Sequence, residues 1–567
     1  MREDFDAIVV GSGVTGGWAA KELTERGLRV LMLERGQPLE HGKGYVGEHK
    51  APHEFKYRGL GDRKQIESDY PYADAAQVMN EATQHFFARD QDIPYQQDKD
   101  APFTWVRTNV LGGKSLIWGR QTYRWAVSDF EANAQDGHGV DWPIRYNDIA
   151  PWYDHVEDFI GVSGRAEGLP QIPDGQFLPP MDFNCVEEEA KRRIEESFPD
   201  RTMTIGRVGI LTKDHNGRAA CHYCGPCYRG CSTASYFSTQ GSTLPAARKT
   251  NRLEVRTNAI VERVEYDATT RKATGVHVID AETNERRFFT SKLVFLCAGT
   301  MASTQILLNS RNESFPDGLA NSSGALGRYL MDHTMGAGAF AVMPGFEKWV
   351  ARGNRPNGIY IPRFRNLSAT ASGEDPGFIR GYGYQGMAMR MQGFPALAQP
   401  GFGADWKKTL TDFGPWTMFL AGFGECLPRE TNRITLSETH RDRWGIPQMN
   451  VHFEWDENEL AMYRQIGEDA VAMLEAAGGV YVSPLGLTPP PGGVGIHEMG
   501  TARMGRDPRT SVLGSHCEAH DVPNLFVTDG SCMTSSACQN PSLTYMALTA
   551  RACAYAVDQL EQGAYSA

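Results

Sequence analysis

The sequence predicts an α/β protein, α+β overall, that combines a parallel sheet built from discontinuous segments with a second domain based on an antiparallel sheet. Three observations support this. Residues 6–36 follow the order strand, glycine turn, helix, strand, and residues 291–310 repeat the passage from an apolar strand through a glycine into a helix. Between about 335 and 490, alternating aromatic segments are broken by proline and glycine, which is typical of antiparallel strands.

The first of these units opens the chain. DAIVV predicts a buried strand, GSGVTGG a turn, and WAAKELTERG a helix that stops at Gly27. LRVLML then predicts a second strand that ends at Glu34. Together these segments form one βαβ unit, from which Rossmann-like sheets are built.

A glycine motif lies between the first strand and its helix. Gly11, Gly13 and Gly16 form G-x-G-x-x-G. The first glycine permits a sharp turn, the second lets a pyrophosphate approach the backbone, and the third lets the helix pack on the strand. Glu34 can accept hydrogen bonds from a ribose hydroxyl. The pattern predicts a dinucleotide site but does not separate NAD from FAD, and a tight turn without a ligand is the alternative.

The second unit and the chain length predict the domain organisation. SKLVFLCAGTMASTQILLNS gives a strand, a turn at Gly299 and a helix over 301–309. A chain of 567 residues has room for two large domains. We expect a nucleotide-binding domain over 1–334, an inserted substrate domain over 335–489, and a return to the first domain over 490–567.

Charge and hydropathy exclude several classes of protein. The formal net charge is −12 and the basic residues are scattered, whereas nucleic-acid binding needs a basic surface. No stretch approaches the roughly 20 apolar residues that span a bilayer, and the amino terminus runs directly into a strand. We therefore expect no nucleic-acid partner, no membrane span and no signal peptide of the chain's own.

Four of the eleven cysteines crowd into the segment 221–232. Cys221, Cys224, Cys227 and Cys231 have the spacing C-x2-C-x2-C-x3-C, by which bacterial ferredoxins bind iron–sulfur clusters, although Ser232 replaces the proline that follows there. Structural zinc more often uses two C-x-x-C pairs separated by a longer loop. The spacing favours an iron–sulfur cluster over zinc, with two disulfides as a weaker alternative.

Three downstream blocks have no place in a simple nicotinamide enzyme: TNVLGGKSLIWGR at 108–120, HEMGTARMG at 497–505 and VTDGSCMTSSACQNPSLT at 527–544. With these blocks in this order, the sequence resembles the glucose-methanol-choline (GMC) oxidoreductase family from the first strand to the final helix. The resemblance implies a Rossmann-like FAD-binding domain and a discontinuous substrate domain. It thereby favours FAD over NAD.

The resemblance also implies which residues surround the cofactor. Gly112, Gly113 and Ser115 would belong to a loop beside the flavin ring, and Asp529 and Gly530 would approach its ribityl and phosphate end. A structural loop is the alternative for the glycine-rich segment.

Some relatives carry a histidine in the GGKSLIW segment that bonds covalently to FAD. This chain has Ile117 immediately before Trp118. We therefore expect non-covalent FAD.

His497 and Asn540 are the predicted catalytic pair. The family counterpart of His497 takes the hydroxyl proton of the substrate while hydride leaves for the flavin N5, and an imidazole suits this role because its ordinary pKa of about 6.5 lies near working pH. Asn540 matches the second member of the pair, a His or Asn that hydrogen-bonds the substrate oxygen.

The cysteine segment is similar to that of some bacterial members of the family, which carry a three-iron cluster. Their ligand spacing, C-x5-C-x3-C, maps onto Cys221, Cys227 and Cys231. Cys224 would then be a spare thiol or the fourth ligand of a four-iron cluster. Because a flavin takes up two electrons as hydride whereas a cytochrome accepts one at a time, a cluster beside a flavin indicates a dehydrogenase.

The block QNPSLTYMALTARA resembles the bacterial glucoside 3-dehydrogenases, which implies oxidation of a secondary sugar hydroxyl, with C3 favoured. Glucose and gluconate dehydrogenases are the neighbouring alternatives. The resemblance implies a small accessory subunit carrying the export signal, a cytochrome c acceptor and a periplasmic location; a cytoplasmic location is the alternative. An oxygen-using oxidase or a lyase with structural cysteines, and an electron-transfer or binding subunit with a vestigial pair, remain as competing hypotheses.

Overall fold

The computed structural model describes residues 4–76, 78–351, 353–367, 377–392 and 401–565. Its strands are β1 Asp4–Val10, β2 Val30–Leu33, β3 Gln96–Gln97, β4 Thr204–Ile205, β5 Leu253–Arg256, β6 Ala259–Asp267, β7 Lys272–Asp280, β8 Arg286–Leu296, β9 Thr334–Val342, β10 Ile359–Ile361, β11 Tyr382–Arg390, β12 Trp416–Gly424, β13 Arg433–Arg441, β14 Pro447–His452, β15 Val480–Leu485 and β16 Leu525–Val527. The helices are α1 Val14–Glu25, α2 Arg63–Asp69, α3 Ala132–Asp136, α4 Tyr146–Ile160, α5 Cys185–Ser197, α6 Thr243–Lys249, α7 Thr300–Asn309, α8 Gly403–Thr411, α9 Glu457–Ala476 and α10 Ser542–Glu561.

The first sheet joins strands that lie far apart in sequence. Its order is β5-β2-β1-β8-β7-β6, and β16 also pairs with β8. The central pairs are parallel, with Ile8 beside Val294 and Val527 beside Leu296. The prediction of a sheet assembled from separated segments is therefore confirmed. Strands β6 and β7 form an antiparallel hairpin at one edge.

Helix α1 follows β1 directly and packs against α6 and the carboxy-terminal helix α10. Its small and apolar residues, such as Trp18, Ala19 and Leu23, are fully buried, so the helix is enclosed on most sides. Helix α7 begins at Thr300 after Gly299, as the sequence predicted for 301–309. Both helices thus start where parallel strands end, which is where α/β sheets bind ligands.

The second sheet is antiparallel, with the order β15-β9-β12-β11-β10-β4. Helix α9 covers one face, and a Cβ at Gly422 on β12 would lie 2.2 Å from Cγ2 of Ile466. That glycine therefore lets the helix approach the sheet closely. Five of these strands fall within 335–489, but β4 comes from the earlier part of the chain. The exact domain boundaries stay a prediction.

A small third sheet, β13-β14-β3, packs on the first domain, because Ile434, Met449 and Val451 belong to the same buried core as β1 and β8. Part of the predicted inserted segment thus covers the nucleotide-binding side. Among the residues that the structure describes, none of the helices has the length and apolar composition that crossing a bilayer requires.

Candidate active site

A cavity of about 900 Å³ runs from the ends of β1 and β2 to the antiparallel sheet. Glu34 lies at one end of it, and residues of β9, β11 and β12 line the other end, which is called the substrate side below. Most of the predicted site residues line it: Gly11, Gly13, Glu34, Gly113, Ser115, Asp529, Gly530, His497 and Asn540. Gly16 and Gly112 are not in its lining and act on the backbone that shapes it.

The three glycines of the first turn have different roles. Gly11 has a φ of +94°, and a Cβ there would lie 2.5 Å from the carbonyl oxygen of Cys297. A Cβ at Gly16 would lie 2.0 Å from the carbonyl oxygen of Gly11, so this glycine brings α1 onto the turn. At Gly13 a Cβ would meet no described atom within 4 Å. Gly13 therefore leaves open space at the amino end of α1, where backbone N–H groups favour a phosphate.

Glu34 is held by backbone and side-chain donors. It accepts hydrogen bonds from the N–H of Ser12 at 3.0 Å and of Gly36 at 2.7 Å, and from the Ser12 hydroxyl. Burial raises the pKa of Glu34. Beside it in the lining, Arg35 has two buried guanidinium nitrogens without a hydrogen-bond partner among the described residues. Arg35 Nη2 forms a long ion pair with Asp442 at 3.7 Å, so the acceptors of Glu34 and the Nε–H of Arg35 are the groups at this end that fit an adenosine ribose and its neighbours.

The loop formed by residues 112–117 packs directly on the first turn. Gly112 has a φ of +103°, and its N–H donates to the Ser12 hydroxyl at 2.8 Å. A Cβ at Gly113 would lie 3.2 Å from Cα of Gly13. The Ser115 hydroxyl donates to the Gly112 carbonyl at 2.5 Å and accepts from the N–H of Thr239. Ser115 therefore shapes the loop.

Asp529 ties the carboxy-terminal segment to the start of α7. It accepts hydrogen bonds from the N–H of Gly299 at 2.9 Å and from the Ser303 hydroxyl at 2.5 Å. A Cβ at Gly530 would lie 2.2 Å from the carbonyl oxygen of Glu498. Asp529 thus connects the segment after β16 to the start of α7. Gly530 lets the same segment approach the backbone of Glu498 closely.

The predicted catalytic pair meets at the far end of the cavity. His497 Nε2 lies 3.3 Å from Asn540 Nδ2, although the two residues are 43 positions apart. Burial lowers the pKa of His497 well below its ordinary value, and the nearby His333 and Lys114 lower it further. The imidazole is therefore neutral near pH 7. A neutral imidazole beside an amide can accept a proton and stabilise the oxygen that loses it.

Sequence reasoning missed the residues that support this pair. Asp332, fully buried, accepts hydrogen bonds from the N–H groups of Gly493, Gly495 and His497 at 2.8 to 3.0 Å. His333, next to it, contacts the His497 ring through its own Nδ1 at 2.9 Å. The signal available in the sequence was the Asp-His pair directly before β9, two ionisable residues between apolar neighbours.

The substrate side of the cavity is mostly apolar. Met335, Met387, Phe419 and Phe423 line it, with Gln385 and Asn357 as polar exceptions. The aromatic residues of β11 suit either a sugar-binding surface or a hydrophobic core. Two of them, Tyr382 and Tyr384, pack in the core of the second sheet.

The four predicted cluster ligands line a second, small cavity. Cys221, Cys227 and Cys231 are half-buried against an apolar group that includes Ile210 and Tyr236, whereas Cys224 is exposed. All four are free thiols in the described structure. Among the described residues, no three His, Cys, Asp or Glu side chains are grouped so that they could hold a metal ion.

The two cavities are neighbours. Pro356 lines both of them. Tyr236 lines the cysteine cavity, and its hydroxyl donates to the Leu116 carbonyl, in the 112–117 loop, at 2.8 Å. The cysteine segment also reaches the large cavity directly, because Tyr228 belongs to its lining.

Comparisons with known proteins agree with this geometry. The amino-terminal and carboxy-terminal models of the GMC oxidoreductase family match residues 5–335 and 428–549. The 2-methyl-1,2-propanediol dehydrogenase of Mycolicibacterium austroafricanum is 30% identical over 97% of this chain and 94% of its own length. The fructose dehydrogenase large subunit of Gluconobacter japonicus is 25% identical over 98% of each chain.

Among solved structures, formate oxidase is similar at a TM-score of 0.62, with 14% identity over 100% of this chain and 99% of its own. Pyridoxine 4-oxidase from Mesorbium loti has a TM-score of 0.59, with 16% identity over 98% and 99% of the two chains. At these identities the likeness concerns the fold. Taken with the family match over more than half of the chain, it shows that this chain belongs to the GMC oxidoreductase family, with the FAD-binding Rossmann-like fold of an oxidoreductase acting on CH–OH groups.

Proposed function

We propose that the protein is an FAD-dependent dehydrogenase that oxidises a secondary hydroxyl of a sugar or glycoside, with C3 favoured. Electrons leave through an iron–sulfur cluster to a cytochrome-type acceptor. The observation that carries the proposal is the pairing of His497 Nε2 with Asn540 Nδ2, 3.3 Å apart, at the end of the cavity opposite Glu34. One alcohol oxygen can contact both groups there.

The residues present fit non-covalent FAD. Gly13 leaves the space that a pyrophosphate needs, Glu34 lies at the ribose end, and the 112–117 loop borders the stretch between that turn and His497. Bound FAD supplies a hydride acceptor for the carbinol carbon. The chain itself supplies the proton acceptor at His497 Nε2 and a donor for the substrate oxygen at Asn540 Nδ2. Asn540 is buried and His497 is half-buried, and a ligand that fills the cavity would exclude water from both groups and strengthen these interactions.

For the cluster we propose Cys221, Cys227 and Cys231 as ligands of a three-iron, four-sulfur centre. The three side chains are free thiols that line one small cavity, which supports this choice. The exposed Cys224 is the spare thiol or, in a four-iron cluster, the fourth ligand. The cluster would take up electrons singly.

A second candidate is a dehydrogenase of a smaller, less polar alcohol. Met335, Met387, Phe419 and Phe423 give the substrate side few polar contacts for the several hydroxyls of a sugar. The relative named 2-methyl-1,2-propanediol dehydrogenase supports this alternative.

An oxygen-using pyranose oxidase with structural cysteines is a further alternative. The C-glycoside 3-oxidase of Microbacterium trichothecenolyticum, which is 28% identical over 51% of each chain, supports it.

The proposed partners follow from the electron route. We propose a small accessory subunit that carries the export signal, a cytochrome c acceptor and a periplasmic location, with a cytoplasmic location as the alternative. The relative named as a large subunit supports a multisubunit arrangement.

Anaerobic bleaching of the flavin absorption tests the proposal. The holoprotein is mixed with a panel of glycosides, aldoses, gluconate, fructose and small branched diols, and the product is analysed for the position of the new carbonyl. We expect full bleaching with a sugar or glycoside, a keto product, and little peroxide in air. Bleaching by the diols alone would favour the second candidate, rapid peroxide formation would favour the oxidase, and no bleaching with any alcohol would contradict the proposal.

A further inference from the structure

We propose that His333 and Gln385 are positioning residues that decide which atoms of the catalytic pair face the substrate: His333 makes His497 Nε2 the proton acceptor, and Gln385 makes Asn540 Nδ2 the proton donor. The inference rests on the proposed function of His497 and Asn540. It assigns roles to two residues that do not themselves need to touch the reacting atoms.

The hydrogen bonds of His333 fix its tautomer. Its Nε2 lies 2.7 Å from the carbonyl oxygen of Ala537, and a carbonyl can only accept, so this nitrogen carries the proton. A neutral imidazole has one N–H, which leaves Nδ1 of His333 with a lone pair. Burial lowers the pKa of His333 to about 4, so the ring is neutral near pH 7.

The tautomer of His333 then determines that of His497. The two Nδ1 atoms are 2.9 Å apart, and since His333 Nδ1 accepts, His497 Nδ1 must donate. The lone pair of His497 is therefore on Nε2, the atom that faces Asn540. The opposite tautomer would place two lone pairs against each other at Nδ1 and leave no base at the cavity.

The backbone around the two histidines keeps them in register. The N–H of His497 donates to Asp332 Oδ1 at 3.0 Å, and Asp332 immediately precedes His333. The same carboxylate binds the N–H groups of Gly493 and Gly495. The loop that carries His497 is thereby attached to the start of β9, and His333 is fully buried behind it.

Gln385 acts on Asn540 in the corresponding way. It projects from β11 into the cavity lining, and its Nε2 donates to Asn540 Oδ1 at 2.6 Å. Because the amide oxygen of Asn540 is used in this bond, its Nδ2 is the atom presented toward His497 and the substrate. An N–H donor at that place stabilises the negative charge that develops on the substrate oxygen as its proton leaves.

The two supports together make the site directional. An alcohol oxygen that contacts both nitrogens from the cavity meets the lone pair of His497 Nε2 and the N–H of Asn540 Nδ2, which matches a hydroxyl that gives up a proton while its oxygen accepts. One support comes from the segment before β9 and the other from β11 of the second sheet. Both supports are therefore attached to strands of the second sheet.

A double-mutant cycle tests the role of His333. The limiting rate of anaerobic flavin reduction is measured for His333→Leu, which lacks an acceptor, and for His333→Asn, which offers an amide oxygen near the position of Nδ1. We expect His333→Leu to slow reduction about 10- to 100-fold, as for other outer partners of functional histidines, with unchanged FAD content. His333→Asn should restore most of the rate.

In the His497→Ala background, His333→Leu should add less than about twofold, because residues that act through one another are not additive. Equal losses in both backgrounds, or a wild-type rate for His333→Leu, would overturn the role. If His497→Ala reduces its flavin normally, the proposed function fails; if it is inactive while His333→Leu is normal, only the positioning role fails.

The matching test for Gln385 compares Gln385→Met with Gln385→Glu. The first variant removes the donor, whereas the second offers only acceptors and therefore favours the flipped orientation of the Asn540 amide. We expect Gln385→Glu to slow flavin reduction at least about tenfold more than Gln385→Met, since it removes a donor from the developing oxyanion. In the Asn540→Ala background this difference should disappear. A difference that persists there would reflect the added charge and would overturn the assignment.

Discussion

The catalytic end of the large cavity and the cysteine-rich segment differ in how far the protein alone completes them. His497 and Asn540 have hydrogen-bond partners from two distant parts of the chain, at His333 and Gln385, and also contact each other. In the cysteine segment, Cys221 Sγ accepts one bond, from the N–H of Tyr223 at 3.4 Å. The first region is arranged before any ligand arrives, whereas the second presents thiols to a cavity.

The cysteine segment is nevertheless anchored at its edges. Glu48 accepts from the N–H of Ser232 at 2.8 Å, and Arg229 donates to the Lys50 carbonyl at 2.9 Å. Gly230, with a φ of +107°, lies directly over the Tyr45 ring. The backbone is therefore shaped by its neighbours, while Cys221 Sγ and Cys231 Sγ make local contacts with the N–H of Tyr223 and the Thr233 hydroxyl. Under the proposed function, the protein itself preorganises the proton acceptor and donor, whereas the proposed electron route needs a bound cluster.

The largest expected effect concerns that ligand. Cys231→Ser should abolish the electron paramagnetic resonance signal of the cluster and lower the iron content of anaerobically purified protein, since thiolates hold such clusters. Cys224→Ser is the matched control and should retain a three-iron signal, because this thiol is exposed. Wild-type protein without iron would contradict the cluster. Loss of the signal in Cys224→Ser would replace the three-iron assignment by a four-iron one.

Next in size is the effect of filling the space at the glycine turn. Gly13→Ala should weaken FAD binding about 10- to 100-fold, the equivalent of losing a charged hydrogen bond of about 1.5–3 kcal/mol. The melting temperature of the apoprotein should stay unchanged, because a Cβ there meets no described atom within 4 Å. The affinity for FAD is measured by titration of the apoprotein, and the melting temperature is measured by thermal unfolding.

Gly16→Ala is the comparison for that variant. Its Cβ would lie 2.0 Å from the Gly11 carbonyl oxygen, so the free energy of unfolding of the apoprotein itself should fall by about 1–3 kcal/mol. Equal stability of the two apoproteins, or FAD binding unaffected by Gly13→Ala, would contradict the division of roles.

The smallest expected effect is the pH dependence of flavin reduction. A histidine with an ordinary pKa of about 6.5 would be about three-quarters protonated at pH 6, and a base that is protonated cannot act. Burial lowers the pKa of His497 well below that value, but it also raises the pKa of Asp332, which binds the N–H of His497, to about 7. In Asp332→Asn, where only the imidazole titrates, the reduction rate at pH 6 should therefore equal that at pH 7.5 and fall only at more acidic pH. A fourfold loss at pH 6 would show that the ring is solvated.

Local patterns allowed much of the fold to be predicted. The βαβ unit from β1 to Glu34, the helix after Gly299 and the antiparallel strands could be inferred because their periodicity and turn residues lie within short windows. Strand β4, which joins the second sheet from far upstream, could not, since a two-residue strand has no pattern of its own and is fixed by its pairing.

The residues of the candidate site also divide into those with a local sequence signal and those without one. His497 and Asn540 were identifiable because each lies in a recognisable block. His333 and Gln385 were missed because their importance comes from which atoms they contact in the folded chain. Gln385 directly follows Tyr384, whose ring packs in the core with that of Tyr382, so Gln385 lies on the opposite face of the strand and lines the cavity. Alternation along β11 predicts that Gln385 and Tyr384 lie on opposite faces of the strand, but it does not predict which of the two faces is buried in the core.

Stopped-flow reduction of the flavin in His497→Ala is the most direct test of the proposed chemistry. With the best alcohol from the substrate panel, the account predicts normal FAD content, an unchanged melting temperature and a limiting rate at least about 100-fold lower, since general-base catalysis contributes on the order of 10²–10⁴. A variant that reduces its flavin at the wild-type rate would contradict the assignment of His497 as the proton acceptor.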